Sequence, residues 1–256
     1  MEFTTVLGID KKTIEYLRVS WPTWAKHKPS LLERPFVIFY DGVDPLEIDR
    51  IVKLPRCKLV EWPPYGVSYP RSGNDKWSNP QRAKMLAGFV HVPHRHISTP
   101  YWFKIDVDSL ATGMDDWVQP SWFDGNPSVI ASCWNYTKPA HQMLFLDNWV
   151  ARMRPSIFEN TEPLRLVPNP GSDLVRHKRI ASWCAFFNTE FSRLASQVAE
   201  QHCGRGQIPV DSQDGYHYYL AERCGFTIRY VSMKKFGWTN RSSFQSVKEC
   251  AAEILA

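Results

Sequence analysis

Three short apolar runs in the first half of the chain each close on aspartate: "TTVLGID" (4–10), "PFVIFYDG" (35–42) and "YWFKIDVD" (101–108). Runs of this length bounded by proline, glycine or acidic residues read as buried strands. Between them lie stretches with helical spacing. "KKTIEYLRVSWPTW" follows the first run. A helix opened by Asn79-Pro80, with Ala83, Leu86, Ala87 and Val90 at spacings of three and four, precedes the last and ends at Pro93. "CKLVEW" (57–62) reads as a further strand, and "PPYGVSYPRSGNDKWSN" after it as a loop. The order β-α-β-(β)-α-β constrains the fold to α/β, with a mostly parallel central sheet flanked by helices. Ligands then bind at the carboxyl ends of the strands, where Asp10, Asp41, Asp106 and Asp108 fall.

The second half is less regular. "PSVIASCWNY" (127–136) and "ASWCAFFN" (181–188) read as strands, and residues 138–154 as a helix with Thr137 as its cap. Residues 155–180 hold four prolines and read as a long loop. "TEFSRLASQVAEQHCG" and "DSQDGYHYYLAERCG" are helices stopped by Gly204 and Gly225. "FTIRYVSM" is a late strand and "SSFQSVKECAAEILA" a terminal helix. No repeat or linker divides the 256 residues, so one domain over 1–256 is expected.

Composition excludes some classes. No run of about 18 apolar residues predicts a membrane span, so no integral membrane contact is expected. The start "MEFTTVLGIDKKTIEY" lacks the charge and apolar pattern of a signal peptide, and the six cysteines contain no C-x-x-C pair. A cytoplasmic protein with reduced thiols is the expectation. The net charge of +5 suits an anionic ligand without demanding nucleic acid. Aromatics reach 14%, and Trp134, Trp183 and Phe186 are candidates for stacking on a sugar or base, or for the core.

The pair Asp106 and Asp108 carries the chemistry. In extended chain, residues i and i+2 share a face, which would set the two carboxylates roughly 7 Å apart over one crevice. Carboxylates so placed suit Mg²⁺ or Mn²⁺, hard cations that bind substrate phosphates. The competing reading is a surface turn in which Asp108 caps the next segment. His91, His94 and His96 fit no common zinc spacing and read as a polar helix exit.

The run "PYWFKIDVDSLAT" resembles the D-x-D segment of nucleotide-sugar-dependent glycosyltransferases with the GT-A fold. The strands ending at Asp10 and Asp41 resemble that family's Rossmann-like nucleotide-binding half. "SWCAFFN" and "DSQDGYHYYLAERCGF" resemble its acceptor side. The resemblance implies a nucleotide-sugar-binding half over 1–112 and an acceptor-binding half over 113–256. It implies Mn²⁺ or Mg²⁺ and a UDP- or GDP-sugar, with Asp108 as main metal ligand and Asp106 on the metal or ribose. Asp10 and Asp41 would face the nucleoside. Arg82 and Lys84, with Arg71 and Lys76 before them, are candidates for the diphosphate, against solvated helix and loop charges. Lys234, Lys235 and Trp238 resemble a segment that closes over it. Many relatives use a late histidine as third metal ligand; His177 in the long loop and His217 in a helix are the candidates here, neither in that family's context, with water as the alternative ligand. If transfer inverts configuration, a general base is required. Asp214 is the better candidate and Asp211 the second, which also reads as a helix cap.

The acceptor is expected to be a glycan or small hydroxyl-bearing molecule. A hydroxylated nucleic-acid base is an alternative acceptor, and nucleotide-sugar synthesis by a nucleotidyltransferase an alternative reaction. The second normally needs a Gly-rich basic loop near the first strand, where "VLGIDKKTIEY" has one glycine. A non-catalytic binding module is the remaining reading.

Overall fold

A computed structural model describes residues 1–62, 88–139, 167–168, 174–203, 213–223, 226–241 and 243–256. β1 (Phe3–Asp10) leads through α1 (Ile14–His27) and the single turn α2 (Pro29–Leu32) to β2 (Phe36–Asp41). α3 (Pro45–Val52) and β3 (Cys57–Glu61) follow. β4 (Tyr101–Ile105) and β5 (Ser109–Ala111) bracket the two aspartates. Next come β6 (Val129–Pro139), β7 (Val167–Pro168), β8 (Leu174–Asn188) and α4 (Thr189–Cys203). α5 (Gln213–Arg223), β9 (Ile228–Tyr230), α6 (Met233–Phe236), β10 (Trp238–Asn240) and α7 (Phe244–Leu255) complete the order.

The main sheet runs β3-β2-β1-β4-β8-β6-β9, with β7 beside β8, and β10 pairs β5 separately. β3, β2, β1 and β4 are mutually parallel, as are β6 and β9, while β8 is antiparallel to β4, β6 and β7. The expected mostly parallel α/β sheet is present. Layers cover both faces, which explains the near-continuous apolar runs of the first strands. On one face Trp102 packs with Phe89, Phe187 and Tyr216; on the other Phe103 packs with Phe3, Trp24 and Phe186. Asp10 and Asp41 are register partners, so β1 and β2 end side by side.

Several local expectations change. The strand expected over 101–108 stops at Ile105, and residues 107–108 form a turn closed by Ser109 N–H on the Asp106 carbonyl at 3.0 Å. Thr137–Pro139, read as a helix start, continue β6, and 174–180, read as loop, begin β8. Those two segments pair with each other from Cys133↔Ile180 to Pro139↔Leu174, and ladder pairing outweighs the weak local pattern. The late strand is shorter than "FTIRYVSM", because Met233–Phe236 turn into α6, ended by Gly237 at φ 65°. α3 was not anticipated, although Asp44 caps it through Leu46 N–H at 3.0 Å and Pro45 opens it.

Pro22 sits inside α1 but on its exposed side, leaving the Arg18 carbonyl to solvent. The helix expected from Asn79 has helical residues at 88–91 and ends at Pro93; its earlier turns lie outside the described residues. No described helix is long and apolar enough to cross a membrane. Cys57, Cys133, Cys184 and Cys250 are free thiols.

Candidate active site

The two aspartates leave the sheet at the carboxyl end of β4. Asp106 N–H donates to the Trp183 carbonyl at 2.9 Å, the last rung towards β8. Val107, between them, is buried in the core. α1 pins the backbone that follows. Ser20 Oγ donates to the Val107 carbonyl at 2.6 Å, Trp24 Nε1 to the Ser109 carbonyl at 2.7 Å, and Thr23 Oγ1 accepts from Ala111 N–H at 3.0 Å. β10 lies across β5 with Asn240 opposite Ser109, and Asn240 Nδ2 donates to Asp108 Oδ1 at 2.9 Å.

Two residues absent from the sequence reading therefore complete the pair. Asn240 holds Asp108, and Lys104 forms an ion pair with Asp106. The Lys104 side chain is 3% exposed against 42% for Asp106, and its Nζ lies 4.7 Å from the Phe89 ring centre. The signal for Lys104 was in the sequence: a lysine two residues before D-x-D in an apolar strand. Burial pushes the Asp108 carboxyl up to about 6, reinforced by the Asp106 charge and opposed by Lys104 and Asn240.

Asp214, in the first turn of α5, accepts from Ser182 Oγ, which also accepts from Gln213 Nε2 at 2.9 Å. Ser182 precedes Trp183, so the Asp106 backbone and the Asp214 carboxylate attach to neighbouring residues of β8. Gln213 is buried with Oε1 unpaired, a second polar group the sequence reading passed over. Asp211, Arg71, Lys76, Arg82 and Lys84 lie outside the described residues.

Asp10 and Asp41 close β1 and β2 at the same carboxyl edge of the sheet, while Trp238 and Phe186 lie in the core. Asp10 is buried, and its Oδ1 accepts from Lys12 N–H at 2.9 Å, Thr13 N–H at 2.8 Å and Thr13 Oγ1 at 2.8 Å, launching α1. Asp41 is half-buried at its side. Trp238 is buried against Trp24, Phe103 and Trp117, so its indole belongs to the core. Phe186 is likewise core, packed on Phe3 and Phe103. Lys234 and Lys235 line a cavity of about 520 Å³ with Lys28, Trp117, Trp122 and Gly237. That cavity adjoins the end of β10 opposite Asn240, about 10 Å of extended chain away. His177 lies in β8 opposite Tyr136 of β6, six positions before Trp183, with a bulge of β8 between them. The side chains of His177 and Trp134 lie outside the described residues.

The donor set fits a hard divalent cation: two carboxylates near enough for the charge of one to act on the other, one oxygen of each held by a hydrogen bond. Among the described residues no third His, Cys, Asp or Glu joins them. A cation there would hold Asp106 and Asp108 and complete its shell from Asn240, water or a bound phosphate.

A mostly parallel sheet with an antiparallel strand inserted beside β4 is the architecture of the GT-A fold. The chain is similar to core-mannan synthase A (CmsA/Ktr4) from Aspergillus fumigatus in its Mn/GDP form, with TM-score 0.69 and 10% identity over 94% of this chain and 74% of that one. It is also similar to the mannosyltransferase Ktr4p from S. cerevisiae in complex with GDP, with TM-score 0.61 and 10% identity over 93% and 71%. No protein-family model matches the sequence, and no curated protein matches it.

Proposed function

We propose that this chain is a divalent-metal-dependent glycosyltransferase that moves a sugar from a nucleotide-sugar donor to a hydroxyl group of a glycan. The observation that carries the reading is the Asp106–Asp108 pair at the end of β4 in a GT-A fold, buffered by Lys104 and Asn240. Two structural neighbours are described with GDP bound, one with Mn, which supports a GDP-sugar over a UDP-sugar. When bound, the cation stabilises charge on the departing diphosphate.

The chain's own residues do the rest. Asp108, anchored by Asn240, and Asp106, anchored by Lys104, present two preset oxygen donors. Asp214, oriented by Ser182, takes the proton of the acceptor hydroxyl in an inverting transfer. Neither a nucleic-acid acceptor nor nucleotidyl transfer is favoured by any feature of the site.

The test is a panel of nucleotide sugars with Mn²⁺, with and without chelator, scored for nucleoside diphosphate release. Asp106→Ala and Asp108→Ala are each expected to lower transfer at least about a hundredfold, the scale of a lost electrostatic stabiliser, with an unchanged circular dichroism spectrum. Full activity in either well-folded variant removes the site assignment.

A further inference from the structure

Lys104 is an expensive residue for its position. Strand alternation places it on the face that carries Trp102, and its neighbours Phe103 and Ile105 point into the opposite core. Its side chain is 3% exposed, with the Phe89 ring on one side of the ammonium and the Asp106 carboxylate as its one ion-pair partner among the described residues. An apolar side chain of similar length would pack there without desolvating a charge, and replacing buried ion pairs by apolar groups is often stabilising. The charge therefore answers a need of the carboxylates. With one residue between Asp106 and Asp108 and Asp108 half-buried, Lys104 is the one positive charge that opposes their repulsion among the described residues, beside hydrogen bonds to Asp108 from Asn240 and the backbone.

We propose that Lys104 is the resident counter-ion of this pair, holding Asp106 in place while no metal is bound and competing with the divalent cation for that carboxylate. The inference rests on the metal-dependent reading above. Its consequence is an order of binding. The cation alone meets a site already partly neutralised, so it binds weakly; with a nucleoside diphosphate the added negative charge offsets Lys104, and the two enter together. Lys104 is thus a positioning residue that acts through Asp106.

The test counts free Mn²⁺ by electron paramagnetic resonance over the whole chain, without nucleotide and then with GDP, for the unaltered protein, Lys104→Met and Lys104→Arg. Without GDP, Lys104→Met is expected to bind Mn²⁺ on the order of tenfold more tightly, the scale of one poorly screened unit charge a few ångströms from the ion. Lys104→Arg, which keeps the charge, stays near the unaltered protein. GDP then tightens Mn²⁺ binding more in the unaltered protein than in Lys104→Met. A merely structural lysine would not produce tighter binding on its removal. Mn²⁺ binding no tighter in a folded Lys104→Met variant overturns this proposal alone. Absence of Mn²⁺ binding in every protein, with or without GDP, overturns it together with the reading it rests on. Should Lys104→Met fail to fold, Lys104→Gln keeps a donor in the same space without the charge, and the same two results decide.

Discussion

His217 sits in α5 with neither ring nitrogen hydrogen-bonded among the described residues, its ring 4.6 Å from that of Phe187. Burial, with a smaller push from the Lys104 charge, lowers its pKa from 6.5 to about 3. As pH falls below 6.5 the unfolded chain takes up the proton first, so stability is full above that value and lost on the way down to about 3. The slope is up to about 1.4 kcal/mol per pH unit. Urea midpoints at pH 7 and pH 5 are expected to differ for the unaltered protein by more than for His217→Phe, which removes the titrating group. Equal pH sensitivity in both would show that His217 is not the source. Asn240 belongs to the same scale. Asn240→Leu leaves Asp108 without its amide anchor and is expected to weaken GDP binding in the presence of Mn²⁺ by roughly tenfold, the worth of one hydrogen bond to a charged group. Isothermal titration calorimetry measures it.

At the scale of elements, α1 is the scaffold of the site, because three of its side chains bond the backbone from Val107 to Ala111. Thr23→Val keeps shape but leaves the buried Ala111 N–H without its acceptor, an expected loss of about 1–3 kcal/mol. Trp24→Phe removes the bond to Ser109 with less effect on packing. Each is expected to lower the thermal midpoint and to weaken donor binding, because Asp108 lies inside the pinned segment. None of this was visible in the sequence, where Ser20, Thr23 and Trp24 read only as part of a helical stretch; their partners are about 85 residues away. What could be read was local. Apolar runs marked β1, β2 and β4, and acids marked their carboxyl ends. The strand expected to run to Asp108 stops at Ile105 because the turn at 107–108 is held by α1 and β10, which the tripeptide does not encode. The early half of β8 was misjudged for a similar reason: "LVRHKRI" has no clear period, and its strand character comes from pairing with β6. Lys234 and Lys235 were legible as charge alone, and α6 brings them to a cavity shared with Lys28.

Taken whole, the sheet argues against two independent halves. β4 lies between β1 from the start of the chain and β8 from its second part, and all five β4 residues are buried. Cys184, Phe186 and Phe187 of β8 contribute to the packing on both faces of β4. The chain's last helix returns to its first: Leu110 packs with Val247, Cys250 and Ala251 of α7 against Tyr16 and Val19 of α1, and Lys26 Nζ donates to the Ile254 and Leu255 carbonyls at 3.0 and 2.9 Å. Cutting after residue 112 would bare the β4 edge, strip β10 from β5 and uncover α1. Residues 1–112 are therefore not a folding unit by themselves. Urea unfolding of the whole chain is expected to give one transition, with tryptophan fluorescence and far-ultraviolet circular dichroism coincident, as small cooperative domains do. A 1–112 fragment is expected to show no cooperative transition and to bind no nucleotide. Two separated transitions in the whole chain, or a fragment that melts cooperatively, would mean that β4–β8 pairing joins two finished bodies; the burial of β4 on both faces speaks for a single one.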